Sequence, residues 1–217
     1  HTNYRFDENQ QSARNREVVE SLPYGDEAKG YIAANVELDK ALAFMLDRLE
    51  EAGVLENTVI AMSGDHYPYG LSKEAIDEIA GHTVDETFEL YKNNFVLWCA
   101  DMKDSIVVDK VGSSLDILPT LSNLFGFSYD SRLLSGRDLL SDAEGLAILK
   151  NKSFITDKIM YDTATKEVTY LIDPSEVSEE YIEAMQQEVK ARFIAAGGIL
   201  NKDYYRYLQD YLIFPQE

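Results

Sequence analysis

One cysteine, Cys99, is present among 217 residues, so no disulfide forms within the chain and packing has to hold the fold. It lies in the apolar run NNFVLWCA, where a buried thiol acting as a small hydrophobe is the expectation. No apolar run is long enough to cross a bilayer, and there is no basic-then-apolar leader. The chain starts at His1 without a methionine, as expected of a piece of something longer, so missing targeting signals say nothing about a parent protein. Positive charge is scarce: 20 Lys and Arg stand against 39 Asp and Glu, a formal net charge of −19. Without a continuous basic stripe such a surface repels phosphate backbones, which argues against nucleic acid as a partner. Solubility accounts for most of this acidity, and an anionic substrate would need a local cation to screen it. Internal repeats and low-complexity tracts are absent as well.

Hydrophobic residues make up 45% of the chain, enough for a globular core, and the length suits one sizeable domain better than two small ones. The opening thirty residues are polar and read as loop with one short helix. From Asp26 to Ala52, Ile32, Val36, Leu42, Met45, Leu46 and Leu49 recur at helical spacing, and Gly53 is placed to end the helix. The run TVIAM, Thr58 to Met62, is apolar without alternation, as expected of a strand covered on both faces, and NFVLWCA is a second strand of that kind. EAIDEIAG between them reads as a short helix. A helix is also expected over SSLDILPTLSNLFGF, with Leu115, Leu118, Leu121, Leu124 and Phe125 on its apolar side and Pro119 in the tolerated first turn. After Ser141 the character changes. SFITDKIMYDTATKEVTYLI predicts two antiparallel strands around a turn at Thr163 to Lys166. Helices are expected over Ser178 to Ala196 and Lys202 to Phe214, broken at Gly197-Gly198.

The chemistry is concentrated at SGDH, where the first strand runs out. Ligands of open α/β sheets bind beyond the carboxyl ends of strands, and Asp65 and His66 stand there after a glycine that lets the backbone turn and come close to a ligand. Carboxylate oxygen with neutral imidazole nitrogen suits a borderline divalent ion such as manganese or zinc, and magnesium less well. A capping aspartate beside an ordinary loop histidine is the competing reading. Two ligands are not a full site, so others must come from elsewhere.

The stretch KGYIAANVELDKALAFMLDRLEEAGVLENTVIAMSGDH resembles the segment that leads to the metal-binding Asp-His pair of lipoteichoic acid synthases and related sulfatase-family proteins. Tyr31, Asp39, Leu42, Gly53, Asn57, Thr58, Val59, Ile60, Gly64, Asp65 and His66 occupy the family's positions. SSLDILPTLSNLFGF with LLSGRDLLS is similar to the family's D-I-x-P-T-L-x-x-L-x-G block and the G-x-D-L that follows it. The resemblance covers residues 1–141 well and the remainder only in outline. It implies an alkaline-phosphatase-like α/β fold, with the whole chain, residues 1–217, as the C-terminal portion of one catalytic domain: a core over 1–150, then a hairpin and two helices over 151–217.

The resemblance also implies a chemistry. A threonine nucleophile held by a divalent cation, most often manganese with magnesium, zinc or calcium as alternatives, attacks a phosphodiester, and glycerol phosphate passes from phosphatidylglycerol to a growing polymer at the outer face of the bacterial membrane. Asp65 and His66 match the metal ligands. HTNY matches the family's substrate-contacting H-x-P-[FY] at His1 and Tyr4 and departs from it at Asn3; a terminal histidine without a role is the alternative. His82 reads as a surface histidine, and Tyr67 and Tyr69 as rim aromatics. Thr2, Thr58, Thr83 and Thr120 lack the nucleophile's motif, so the nucleophile is expected outside this chain, which alone would be inactive and would leave a sheet edge open to self-association. A true sulfatase with a formylglycine and calcium, a related phosphodiesterase, and a binding domain that has lost its chemistry are the alternatives.

Overall fold

The polar opening folds into two short helices, α1 (Gln10–Arg14) and α2 (Arg16–Val19), in the computed structural model, which describes residues 3–208. The Asn9 side chain accepts from the amides of Gln11 and Ser12 and so caps α1. Two compact units form, residues 1–105 and 106–217. Among the described residues no helix is long and apolar enough to cross a membrane.

In the first unit α3 spans Asp26–Glu51 and ends at Gly53 (φ +69°), as its periodicity predicts. Its first turns carry the buried contacts: Ala28, Gly30 and Ala33 are buried, and Ala28 packs with Tyr4, Leu71 and Ala75. At Gly30 the Tyr4 carbonyl occupies the space a Cβ would take, and Ser12 Oγ donates to the Gly30 carbonyl at 2.7 Å. Farther along, the predicted stripe is only half-buried at Leu42, Leu46 and Leu49, and Met45 is exposed. β1 (Val59–Ser63) follows, then α4 (Lys73–Ala80), capped by Ser72 and ended by Gly81 (φ +76°). α3 and α4 hold each other's ends: Glu27 accepts from the Ser72 amide (2.9 Å) and hydroxyl (2.5 Å), and Glu78 accepts from the Gly25 amide (2.9 and 3.0 Å).

β2 (Phe95–Cys99) pairs antiparallel with β1, from Val59 opposite Cys99 to Ser63 opposite Phe95. Neither strand is covered on both faces as expected. Val59, Ala61, Met62 and Val96 are exposed, and Val96 keeps 46% of its surface. An unbroken apolar run shows that both faces can be buried. Whether they are depends on what packs there, and among the described residues of this unit nothing encloses the pair. Cys99 is half-buried instead of sealed in a core. Its thiol lies 2.9 Å from Asp101 Oδ1, which with partial burial raises the thiol's pKa.

In the second unit a 3-10 turn at Ser114–Asp116 leads into α5 (Ile117–Leu124). Its orientation reverses the expectation. Asp116, Pro119, Thr120 and Ser122 are buried, while Leu115, Leu118, Leu124 and Phe125 face out, with Leu118 58% exposed. Hydrogen bonds decide this. Buried Asp116 accepts from the amides of Ser113 (2.7 Å) and Arg137 (2.6 Å), and Thr120 Oγ1 donates to the Asp116 carbonyl (2.6 Å) and accepts from the Leu139 amide (2.9 Å). Once buried, these groups need those partners, so the polar side of the helix turns inward. A Cβ at Gly136 would overlap the Leu115 carbonyl, which accounts for the glycine in GRDL. The two sequence blocks are thus one clamp.

A four-stranded antiparallel meander follows: β3 (Leu146–Ile148), β4 (Phe154–Thr156), β5 (Ile159–Tyr161) and β6 (Val168–Tyr170). The predicted hairpin therefore contains three strands, because SFITDKIMY turns sharply at Asp157-Lys158. Thr156 Oγ1 accepts from the amides of Lys158 and Ile159, both at 3.1 Å, which folds the chain where its composition suggests one strand. α6 (Glu179–Asn201) packs Met185 and Val189 against Leu146, Phe154, Ile159 and Tyr161. It runs through Gly197-Gly198 unbroken. Two glycines cost a helix about 1 kcal/mol each, which lowers its stability without ending it. The stop comes at Lys202-Asp203 (φ +49° at Asp203), and α7 (Tyr204–Leu208) begins there. The expected helix to Phe214 extends past the described residues.

Candidate metal centre

The last β1–β2 pair is Ser63 with Phe95, and the chain leaves β1 through Gly64 to Asp65 and His66, as the sequence predicts. Both side chains stand at the strand's exit, with Asp65 83% exposed. They face one another: His66 Nε2 lies 3.4 Å from Asp65 Oδ1. His66 Nδ1 lies 2.8 Å from the Tyr67 carbonyl. That carbonyl, an acceptor for an Nδ1 proton, holds the ring so that Nε2 faces the carboxylate. A metal-ligating imidazole is commonly fixed by a carbonyl in this way.

This donor pair fits a divalent ion. Donors about 2.1 Å from one ion stand about 3.0–3.4 Å apart, and oxygen with imidazole nitrogen suits manganese or zinc. It is half a site, since among the described residues no three His, Cys, Asp or Glu side chains come together.

Aromatic rings surround the pair. Tyr69 lies 4.4 Å from the His66 ring, and Tyr67 makes edge contacts with Tyr69 (6.2 Å) and Tyr91 (5.5 Å). Tyr4 is buried and packs edge-on against Tyr31 at 5.0 Å. Its hydroxyl pKa is raised, first by burial, then by Tyr31, Tyr69 and the Asp65 carboxylate, so Tyr4 belongs to the same neighbourhood. His1, the expected substrate contact, lies outside the described residues, as does Thr2.

The remaining candidates are occupied elsewhere. His82 is exposed and pairs with Glu89 at 2.7 Å, a bond that raises the imidazole pKa, in keeping with a surface histidine. Thr58 Oγ1 donates to the Val54 carbonyl, and Thr120 belongs to the Asp116 clamp. Neither is placed as a nucleophile.

Sequence reading missed Asn93. Its Nδ2 donates to the Gly64 carbonyl at 2.7 Å and its Oδ1 accepts from the Asn94 amide at 2.8 Å. No motif marks it. The only hint is that it stands just before the strand that pairs with β1.

Comparisons with known proteins agree on one family. The profile of the sulfatase family matches residues 1–127. Lipoteichoic acid synthase-like YvgJ of Bacillus subtilis is 31% identical over 180 residues, covering 78% of this chain and 28% of that protein. Lipoteichoic acid synthase 1 of the same organism is 28% identical over 181 residues, 78% of this chain and 27% of that protein. In structure, the lipoteichoic acid synthase LtaP from Listeria monocytogenes superposes with a TM-score of 0.59 over 83% of this chain and 50% of its own, at 18% identity. That likeness shows the alkaline-phosphatase-like α/β fold. The chain spans under a third of the length of these curated relatives and half of the LtaP chain.

Proposed function

This chain belongs to the sulfatase family, and we propose that it supplies Asp65 and His66 as two ligands of a divalent cation, manganese first, in a phosphotransferase of the lipoteichoic acid synthase type. On this reading the chain is the C-terminal part of the catalytic domain. A threonine nucleophile and the remaining ligands come from outside it. Glycerol phosphate passes from phosphatidylglycerol to a polymer at the outer face of the cell membrane. The names of YvgJ and lipoteichoic acid synthase 1 support that choice of substrate over a sulfate ester.

The observation that carries the proposal is the placement of the two side chains: His66 Nε2 lies 3.4 Å from Asp65 Oδ1 where the chain leaves β1. The Tyr67 carbonyl, 2.8 Å from Nδ1, orients the ring so that Nε2 lies beside the Asp65 carboxylate. Both side chains stand at the mouth of a strand. A bound cation would neutralise phosphoryl oxygens and lower the pKa of an attacking hydroxyl, which so acidic a protein needs in order to handle phosphate. The chain's own part is to hold the two donors apart at the right spacing and to line their surroundings with Tyr67 and Tyr69.

The test is His66→Ala, with Mn²⁺ affinity and phosphodiester turnover both measured in the full-length protein. Loss of both is expected. Wild-type values for both would end the metal assignment.

A further inference from the structure

We infer that Asn93 is a positioning residue for the Asp65-His66 loop, an inference that rests on the metal reading above for its consequence but not for its geometry. Among the described residues, no ladder pair beyond Ser63–Phe95 fixes the backbone that presents the two donors. The Asn93 amide takes over that task from the facing segment. Nδ2 holds the carbonyl of Gly64, the residue directly before Asp65, at 2.7 Å. Oδ1 is held by the Asn94 amide at 2.8 Å. A flipped amide would set oxygen against the Gly64 carbonyl and NH₂ against an N–H, so both ends specify one orientation.

Gly64 completes the arrangement. A Cβ there would stand 2.5 Å from Asn93 Nδ2, 2.7 Å from Oδ1 and 3.0 Å from Cγ, and these are the three nearest atoms it would meet. The glycine of SGDH therefore makes room for the Asn93 amide to lie against the backbone. Its φ is not in the left-handed region, so close approach and not turn geometry requires it. Sequence alone suggested that this glycine admits a ligand; what it admits here is a side chain that steadies the ligand-bearing loop. Asn93 is exposed, so its bond adds little to global stability, and its effect should appear where it acts, on the two donors.

The experiment uses Asn93→Ala, Asn93→Asp, Gly64→Ala and the Gly64→Ala/Asn93→Ala double variant in the full-length protein. Hydrogen exchange of residues 64–67 is read without metal, and Mn²⁺ affinity is read by titration with Mn²⁺ alone. Asn93→Ala is expected to speed exchange in 64–67 and to weaken Mn²⁺ binding about tenfold, with the thermal midpoint unchanged. Asn93→Asp keeps the acceptor for Asn94 but loses the donor, and should speed exchange likewise. Gly64→Ala should loosen the loop in the wild type and have little further effect once Asn93 is alanine, because the clash is then gone. Unaltered exchange in Asn93→Ala, or Gly64→Ala effects that add to those of Asn93→Ala, overturns the inference. A full-length wild-type protein that takes no Mn²⁺ overturns the metal reading of the function instead, and the exchange and double-variant results still decide the role of Asn93.

Discussion

The β3–β6 meander of the second unit is roofed by α6 and buries Phe154, Ile159, Tyr161 and Val189, while the β1–β2 ribbon of the first unit leaves Val59, Met62 and Val96 in solvent. Both are antiparallel sheets of short strands rich in β-branched and aromatic residues. They differ in what each is for. The meander has a cover supplied by residues 179–201 and reads as a stable platform, with Phe154 stacked on Tyr161 at 5.2 Å. The ribbon's ordered work is at its end, where Asp65 and His66 emerge, and a polar tie, Asn93 to Gly64, holds that end, as Glu27 to Ser72 and Glu78 to Gly25 hold the ends of α3 and α4. Polar ties at a surface position groups while contributing little to stability, and apolar cores stabilise without positioning any reactive atom. A site that needs open donors sits on the first kind of structure.

Four outcomes would break or sharpen that contrast. Phe154→Ala removes a ring that is fully buried in the meander core and should cost about 3–5 kcal/mol in the second unit. Exchange protection should vanish across 146–161 while 59–63 keeps its own; equal loss in both would mean that the meander and the ribbon unfold together. Gly30→Ala comes next. Alanine improves helix propensity by about 1 kcal/mol, but its Cβ meets the Tyr4 carbonyl, and overpacking of that sort costs about 1–3 kcal/mol. A net loss of stability in denaturant unfolding is expected, and a gain would show that the first unit is looser than its contacts suggest.

Tyr181 gives a pH-dependent outcome in the second unit. Burial pushes its pKa up to about 12, and the neighbouring Glu144 carboxylate, 2.7 Å from the hydroxyl, adds to the rise. The folded state holds this proton more tightly than the unfolded chain does. Its contribution is therefore complete below about pH 10, the ordinary tyrosine value, and is lost as pH rises through about 12. Thermal melts between these values should fall more steeply for the wild type than for Tyr181→Phe; parallel curves would refute the assignment. The smallest effect on stability is expected from His66→Ala, within about 0.5 kcal/mol in denaturant unfolding, because the residue is exposed. A larger loss would show that the site also holds the first unit together.

Much of the fold was legible before any coordinates. α3 with its Gly53 stop, α4 with Gly81, both strands and the placing of Asp65-His66 at a strand's exit all follow from local pattern. Three of the failures share one cause. α5 turned its leucines outward because buried Asp116 and Thr120 find partners some twenty residues away in the 136–139 loop. SFITDKIMY became two strands because a threonine hydroxyl captured two amides. Asn93 carries no signal until β2 lies beside β1.

By itself, then, the order of residues determined α3, α4, β1 and β2, the family, and the pairing of a carboxylate with an imidazole after β1, since each depends on neighbours along the chain. Only the tertiary structure decided which faces are covered, what His66 lies against and what steadies its loop. Burial and hydrogen bonding are settled by groups distant in sequence, and a periodic pattern cannot specify partners it does not contain.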